Sequence, residues 1–145
     1  MSYLPDAMPL PPPGPDDAPF WEACARRELR VTRCTNCGAF RHPGTPVCAQ
    51  CRSTAFDWPE VSGTGTVFSY TIAAHPTHAA LKGHGPYNIA VVHLDGAGDV
   101  RLVSNVMDVP PEEMAIGMRV RLHWDELSDG SLLPRFVRAE ESGDA

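Results

Sequence analysis

Cys34-Thr-Asn-Cys37-Gly38 and Cys48-Ala-Gln-Cys51 are two CxxC pairs set ten residues apart. A CxxC knuckle lets two thiolates converge on one metal ion, and two knuckles complete a tetrahedron. Gly38 supplies the backbone freedom that such a turn needs. The spacing predicts a zinc site with Cys34, Cys37, Cys48 and Cys51 as ligands, and iron in a rubredoxin-like site is the alternative, since four sulfurs suit both metals. Four protein ligands leave no position for water, so the metal holds the chain and performs no chemistry. His42 lies between the knuckles but is surplus to a full set, which makes it a surface residue or one packed behind the ligands.

Downstream of the knuckles the pattern changes to strands separated by turn residues. The first run covers residues 65–74, with Phe68, Tyr70 and Ile72 alternating with Val67, Ser69 and Thr71. A loop rich in His, Gly and Pro leads to a second, mostly apolar run over 87–94. Asp95-Gly96 and Gly98-Asp99 then supply a hairpin turn. The third run, 100–106, places Val100, Leu102, Ser104 and Val106 on one face. A short helix is expected over 110–116, entered through prolines and ended by Gly117. The fourth run, 118–124, alternates Val120, Leu122 and Trp124 with Arg119, Arg121 and His123. The fifth covers 132–137, where Pro134 predicts an edge or a bulge. Five strands with a helix between the third and fourth is the order of an OB-fold, a small Greek-key barrel.

Upstream, Pro5, Pro9, Pro11, Pro12, Pro13, Pro15 and Pro19 exclude regular helix from most of the first 19 residues. An extended arm is expected, disordered or laid along a partner. A helix is expected over about 18–29, capped by Asp16 or Asp17, with Pro19 in its first turn. Phe20, Trp21, Cys24 and Ala25 lie on neighbouring faces of it. Two readings of Phe20 and Trp21 stand open: they pack on the chain's own barrel, or they anchor a docking helix on another subunit. Cys24 fits a buried helical position better than a reactive one.

Composition narrows the function. The 145 residues carry 12 Lys and Arg against 18 Asp and Glu, a formal charge of −6. Such a chain is poorly suited to wrapping nucleic acid, which demands surplus cations. No apolar stretch approaches the roughly 20 residues of a membrane span, and the N-terminus lacks a signal-peptide pattern. A soluble, cytoplasmic protein is expected, in keeping with paired cysteines used for metal. His75, His78 and His84 share one loop and offer either a second metal site or, more simply, a polar loop; no carboxylate but Glu60 lies between Asp57 and Asp95 to pair with them. His93 and His123 are expected as ordinary sheet residues. Gly63-Thr-Gly65-Thr leads into a strand, cannot offer a helix N-terminus to a phosphate, and is taken as a bend at the start of the barrel. No catalytic constellation emerges.

The order of Phe20-Trp21, the CxxC pairs, Trp58-Pro-Glu-Val-Ser-Gly-Thr-Gly-Thr-Val-Phe-Ser-Tyr-Thr71, Pro86-Tyr-Asn-Ile-Ala-Val-Val-His-Leu-Asp95, Leu102-Val-Ser-Asn-Val106 and Ile116-Gly-Met-Arg-Val-Arg121 resembles the DUF35 family over residues 18–139. The resemblance implies a mainly β chain in five parts. These are a Pro-rich flexible arm (1–17), an N-terminal docking helix (18–30), a rubredoxin-like zinc ribbon (31–57), a five-stranded OB-fold (58–139) and a disordered tail (140–145). It also implies a non-catalytic accessory subunit beside a thiolase-like enzyme, such as a thiolase, synthase or retro-aldolase acting on CoA thioesters, or beside a hot-dog-fold enoyl-CoA hydratase of steroid side-chain degradation. A contribution to the path of the CoA chain follows from the same resemblance, through binding shared at an interface. The four cysteines are the functional residues it carries over. The competing reading is a single-stranded nucleic-acid module, for which Arg119, Arg121, Arg135 and Arg138 would form a basic patch.

Overall fold

The computed structural model describes residues 2–140. Helix α1 (Ala18–Ala25) precedes a small sheet of β1 (Thr32–Cys34), β2 (Phe40–Arg41) and β3 (Phe56–Asp57) in the order β2-β1-β3. The barrel sheet follows: β4 (Thr64–Ala73), β5 (Tyr87–Leu94), β6 (Arg101–Ser104), β7 (Val106–Met107), β8 (Arg119–Glu126) and β9 (Leu132–Arg138), in the order β6-β5-β4-β8-β9-β7. Neighbours in it are antiparallel, except for the parallel pair β7–β9. The fold is the expected zinc ribbon followed by an OB-fold.

The helix stops earlier than its apolar spacing suggests. It ends at Ala25 instead of near Leu29 because Arg27 turns to φ 60°. Arg27 N donates to Cys24 O and Glu28 N to Ala23 O, the paired bonds of a Schellman stop. Glycine usually marks that position, and an arginine there hides the signal. Asp17 sits at the N-cap, but its carboxylate accepts from Gly14 N and Trp21 Nε1 and caps no helix amide. The short helix expected over 110–116 shrinks to a single 3-10 turn at Pro111–Glu113, because Met114 returns to extended backbone and buries its side chain.

Alternation sets the barrel core. Along β5 each second residue, Asn88, Ala90, Val92 and Leu94, points inward, where it meets Val67, Leu102, Val106, Val120 and Phe136. Phe20 and Cys24 from α1, with Leu29 and Val31 from the connection to β1, belong to the same buried cluster. Helix, ribbon and barrel thus share one core. Gly65 is needed where β4 lies between β5 and β8: a Cβ there would stand 2.6 Å from His93 O and 2.7 Å from Val92 Cγ1. A register shift between Val67 and Ser69 bulges β4 at Phe68 and leaves that ring exposed.

The third apolar run is not one strand. It breaks at Asn105 into β6, which pairs with β5, and β7, which pairs with β9. The two edges of the sheet are therefore consecutive pieces of chain joined by one residue. At this seam a side chain replaces the ladder: Asn88 Nδ2 donates to Val106 O at 2.8 Å, and Val106 N donates to Asn88 Oδ1 at 2.8 Å. Asn105 Nδ2 donates to Asn88 O, and Phe136 N donates to Asn105 O. Pro134, expected at an edge or bulge, lies in β9 opposite Trp124, before the point where β7 joins at Phe136. That end of β9 has β8 as its strand neighbour on one side, which tolerates the missing N–H. The disordered tail expected at 140–145 lies, beyond Glu140, outside the described residues.

Replacing Asn88 by alanine strips two buried backbone groups of Val106 of their partners. A loss of about 2–4 kcal/mol is expected, measurable by urea unfolding of the zinc-loaded protein. A change within about 0.5 kcal/mol would show that the seam does not depend on Asn88.

Candidate metal centre

The ribbon builds its two knuckles with the same backbone pattern. Cys34 N donates to Ala39 O and Gly38 N to Cys34 O; Cys48 N donates to Ser53 O and Arg52 N to Cys48 O. Gly38 takes φ 80° in the first knuckle and Arg52 φ 66° in the second. Arginine in the glycine role makes the second knuckle look less like the first in sequence than it is in space.

The knuckles bring all four sulfurs within 4.8 Å of one another. Cys34 Sγ and Cys51 Sγ are 3.6 Å apart, as are Cys37 Sγ and Cys48 Sγ. Zinc–sulfur bonds of about 2.3 Å in a tetrahedron require sulfur separations of about 3.8 Å, so the set fits one ion. Amides already aim at the sulfurs: Cys37 N lies 3.5 Å from Cys34 Sγ, Gln50 N 3.4 Å from Cys48 Sγ, and Asn36 Nδ2 3.3 Å from Cys51 Sγ. Backbone amides, first that of Cys37, hold Cys34 down to about 6, and the amides of Cys51 and Gln50 hold Cys48 below its ordinary value. Cys37 receives the Ala39 amide, yet burial and the neighbouring thiols push it up to about 12. Four thiolates this close need a dication to ionise together. The centre is a structural zinc site with a full protein ligand set.

Ribbon and barrel are tied along their connection. Val31 N donates to Pro59 O, Val61 N to Leu29 O, and Arg30 Nη1 to Trp58 O at 2.8 Å. Arg33 grips Asp57 with Nε at 3.2 Å and Nη2 at 2.7 Å. His42 is neither a ligand nor a surface residue. Its half-buried ring lies 4.9 Å from Phe20, and burial lowers its pKa.

The structure separates the other candidates. Phe20 is buried in the shared core, edge-to-face with Trp21 at 5.0 Å, so it is no free docking anchor. Trp21 is half-buried and lines an apolar cavity of about 400 Å³ with Leu10, Pro11, Pro12, Ala25 and Leu133. Cys24 is buried, and burial pushes its thiol up to about 12, as an inert core cysteine requires. His75, His78 and His84 are exposed and form no metal cluster; among the described residues the four cysteines make the one such group. His78 Nδ1 accepts from Ala80 N to cap a 3-10 turn, and His93 Nε2 donates to Gly98 O. The basic patch does not form. Arg119 holds Asp95 through two bonds, at 3.1 and 2.6 Å. Arg138 faces Glu113 at 3.5 Å, and Arg135 is buried against Asp125 at 2.5 Å. Sequence reasoning missed this last pair, because Asp125 follows the apolar Trp124 where alternation predicts an outward, solvated residue. Among the described residues no helix is long and apolar enough to cross a membrane.

Two outcomes are expected. The purified chain carries one zinc by elemental analysis, and Cys34→Ser carries none and loses the ribbon while much of the barrel's β circular dichroism persists; full zinc retention in Cys34→Ser would remove it from the ligand set. Asp95, held down to about 2 first by Arg119 and then by the Thr64 hydroxyl, is a group whose folded pKa lies below its unfolded one. Its contribution to stability is present above the unfolded value and is lost as pH falls towards 2. In Arg119→Met its carboxyl titration, followed by NMR, moves up towards the ordinary range; an unmoved titration would refute the assignment.

Residues 21–57 match the rubredoxin-like zinc ribbon domain of ChsH2, and residues 58–125 match its C-terminal OB-fold domain. The chain is 40% identical to a probable enoyl-CoA hydratase alpha subunit of Thermomonospora curvata, over 92% of this chain and 42% of that protein. It is 30% identical to a DUF35 domain-containing scaffold protein of Methanothermobacter thermautotrophicus, over 67% of this chain and 71% of the other. Among solved structures it superposes on a chain of the Ltp2–ChsH2(DUF35) aldolase with a TM-score of 0.81 and 39% identity, covering 90% of this chain and 100% of that one. The chain spans about two fifths of the length of the hydratase alpha subunit it matches. With both domains matched in order and the four cysteines gathered on one centre, the chain belongs to the DUF35 family, as a zinc ribbon and OB-fold of the ChsH2 type.

Proposed function

We propose that this chain is a non-catalytic scaffold subunit that docks on an enzyme acting on CoA thioesters. The enzyme is a thiolase-like aldolase or a hydratase of the kind its relatives' names describe, with a steroid or lipid side chain as the acyl group. The observation that carries this reading is the end-to-end match to one chain of a two-component aldolase. A second relative, 37% identical over 88% of this chain, is the alpha subunit of a 3-oxo-4,17-pregnadiene-20-carboxyl-CoA hydratase in Mycobacterium tuberculosis. The site chemistry supports a passive role. The metal has no open position, and the loop histidines are dispersed.

An apolar surface suited to docking lies on the outside of the barrel. Phe68 at the β4 bulge and Val103 on β6 are exposed, and the Arg101 guanidinium lies 4.0 Å over the Phe68 ring. Exposed Ile116 precedes Gly117, whose amide donates to Val67 O beside that ring. An enzyme subunit covering these three side chains would bury a patch of the sort that marks protein interfaces. CoA binding, on this reading, is shared between the subunits, since the chain is acidic and its arginines are largely engaged in ion pairs. The same pairing disfavours the nucleic-acid reading.

The test is purification of the tagged chain from its native host, with mass spectrometry of what accompanies it. A thiolase-like or hydratase subunit near one to one is expected, and Phe68→Asp with Val103→Asp should weaken its retention at least about tenfold. Recovery of the chain alone, or with nucleic acid, contradicts the reading.

A further inference from the structure

We propose that the seam end of the barrel is a recognition site for a tyrosine-bearing extended segment, and that Tyr3 fills it in cis, fastening the Pro-rich arm across the barrel as a strap.

The arm, expected to be flexible, runs back over the chain's own surface, and Tyr3 makes its anchor. The backbone N–H of Tyr3 donates to Asp125 Oδ2 at 3.0 Å. Its phenol oxygen accepts from Asn88 N at 2.9 Å. Its carbonyl accepts from His84 Nε2 at 3.2 Å. Its ring lies 5.5 Å from the Arg135 guanidinium in a cation–π contact. One residue thus touches four side or main chains more than 80 positions away in sequence, through three polar atoms and its ring.

The receiving site is a hydrogen-bonded set of barrel side chains that Tyr3 covers. Asp125 and Arg135 lie on the outward face of β8 and β9, where their neighbours Arg121 and His123 are exposed. Yet Asp125 is 3% exposed and Arg135 7%. A solvated surface pair would need no cover, whereas a buried one must have its remaining polar atoms satisfied. Arg135 Nε binds Asp125 Oδ2, and Arg135 Nη1 binds Asn105 Oδ1. Asn105 in turn reaches Asn88, the side chain that bridges the seam. Tyr3 supplies the N–H that Asp125 accepts beyond its arginine, and the acceptor for the outward amide of Asn88. Burial pushes its phenol above the ordinary value. From this anchor the arm passes to Leu10, Pro11, Pro12 and Pro13, which wall the apolar cavity against Trp21 and Leu133.

The experiment uses a fluorescent peptide of residues 2–9, acetylated at its N-terminus, and two zinc-loaded proteins: the full chain and a chain lacking residues 2–9. The peptide is expected to bind the shortened chain saturably and the full chain at least about tenfold more weakly, because the tethered segment competes at high effective concentration. The same peptide with Tyr3→Ala should not bind. Equal binding to both proteins, or none to the folded shortened chain, overturns the proposal. Hydrogen exchange on full-length Tyr3→Phe gives an independent reading whether or not the shortened chain folds. Without the phenol oxygen the Asn88 amide should exchange about tenfold faster while the Ala90 amide in the same strand is unchanged. Unaltered exchange at Asn88 would equally overturn it.

Discussion

The barrel depends on how its seam is held. Strands β6 and β7 stand at opposite edges of one sheet but are halves of a single run, and a continuous ladder cannot pair that run with β5 and β9 at once without a break. The break falls at Asn105, and the Asn88 carboxamide bridges it by offering one donor and one acceptor to the main chain of Val106. A carboxamide suits the task because it mimics a peptide group. Arg135 and Asp125 then fix Asn105 from the outside. Removing any one partner leaves a buried polar group unsatisfied, which costs more than the bond itself contributes.

The ribbon reaches this barrel through a shared core. Leu29 and Val31 lead from the helix to β1 while buried among barrel residues, and Phe20 and Cys24 pack into the same cluster. Zinc therefore does more than close two knuckles. By fixing Cys34 at the end of β1 it sets the start of a segment whose preceding residues belong to the barrel core. The metal-closed ribbon and the barrel core are joined through that continuity.

Much of this was legible in the chain. The CxxC spacing located the metal, period-two alternation located β4 and β8, and apolar runs bounded by turn residues located β5 and β9, because these signals are local. What stayed hidden depends on distant partners. Arg27 ends the helix in a position where glycine is the usual mark. Asn88 looks like a polar interruption of an apolar strand until Val106 is placed beside it. Asp125 and Arg135 look like surface charge until Tyr3 lies over them. The phenylalanine of the Phe20-Trp21 pair, read either as core or as an anchor, is core. The four arginines that suggested a basic face are largely engaged with carboxylates, and pairing of that kind has no sequence period to reveal it.

On the proposed reading, the chain organises a CoA-thioester reaction that its partner performs. The most direct measurement is turnover of a CoA thioester by the zinc-loaded chain alone, by its partner enzyme alone and by the two together. A scaffold subunit gives no turnover alone, and the pair turns over faster than the partner by itself. Turnover by the chain alone would contradict it.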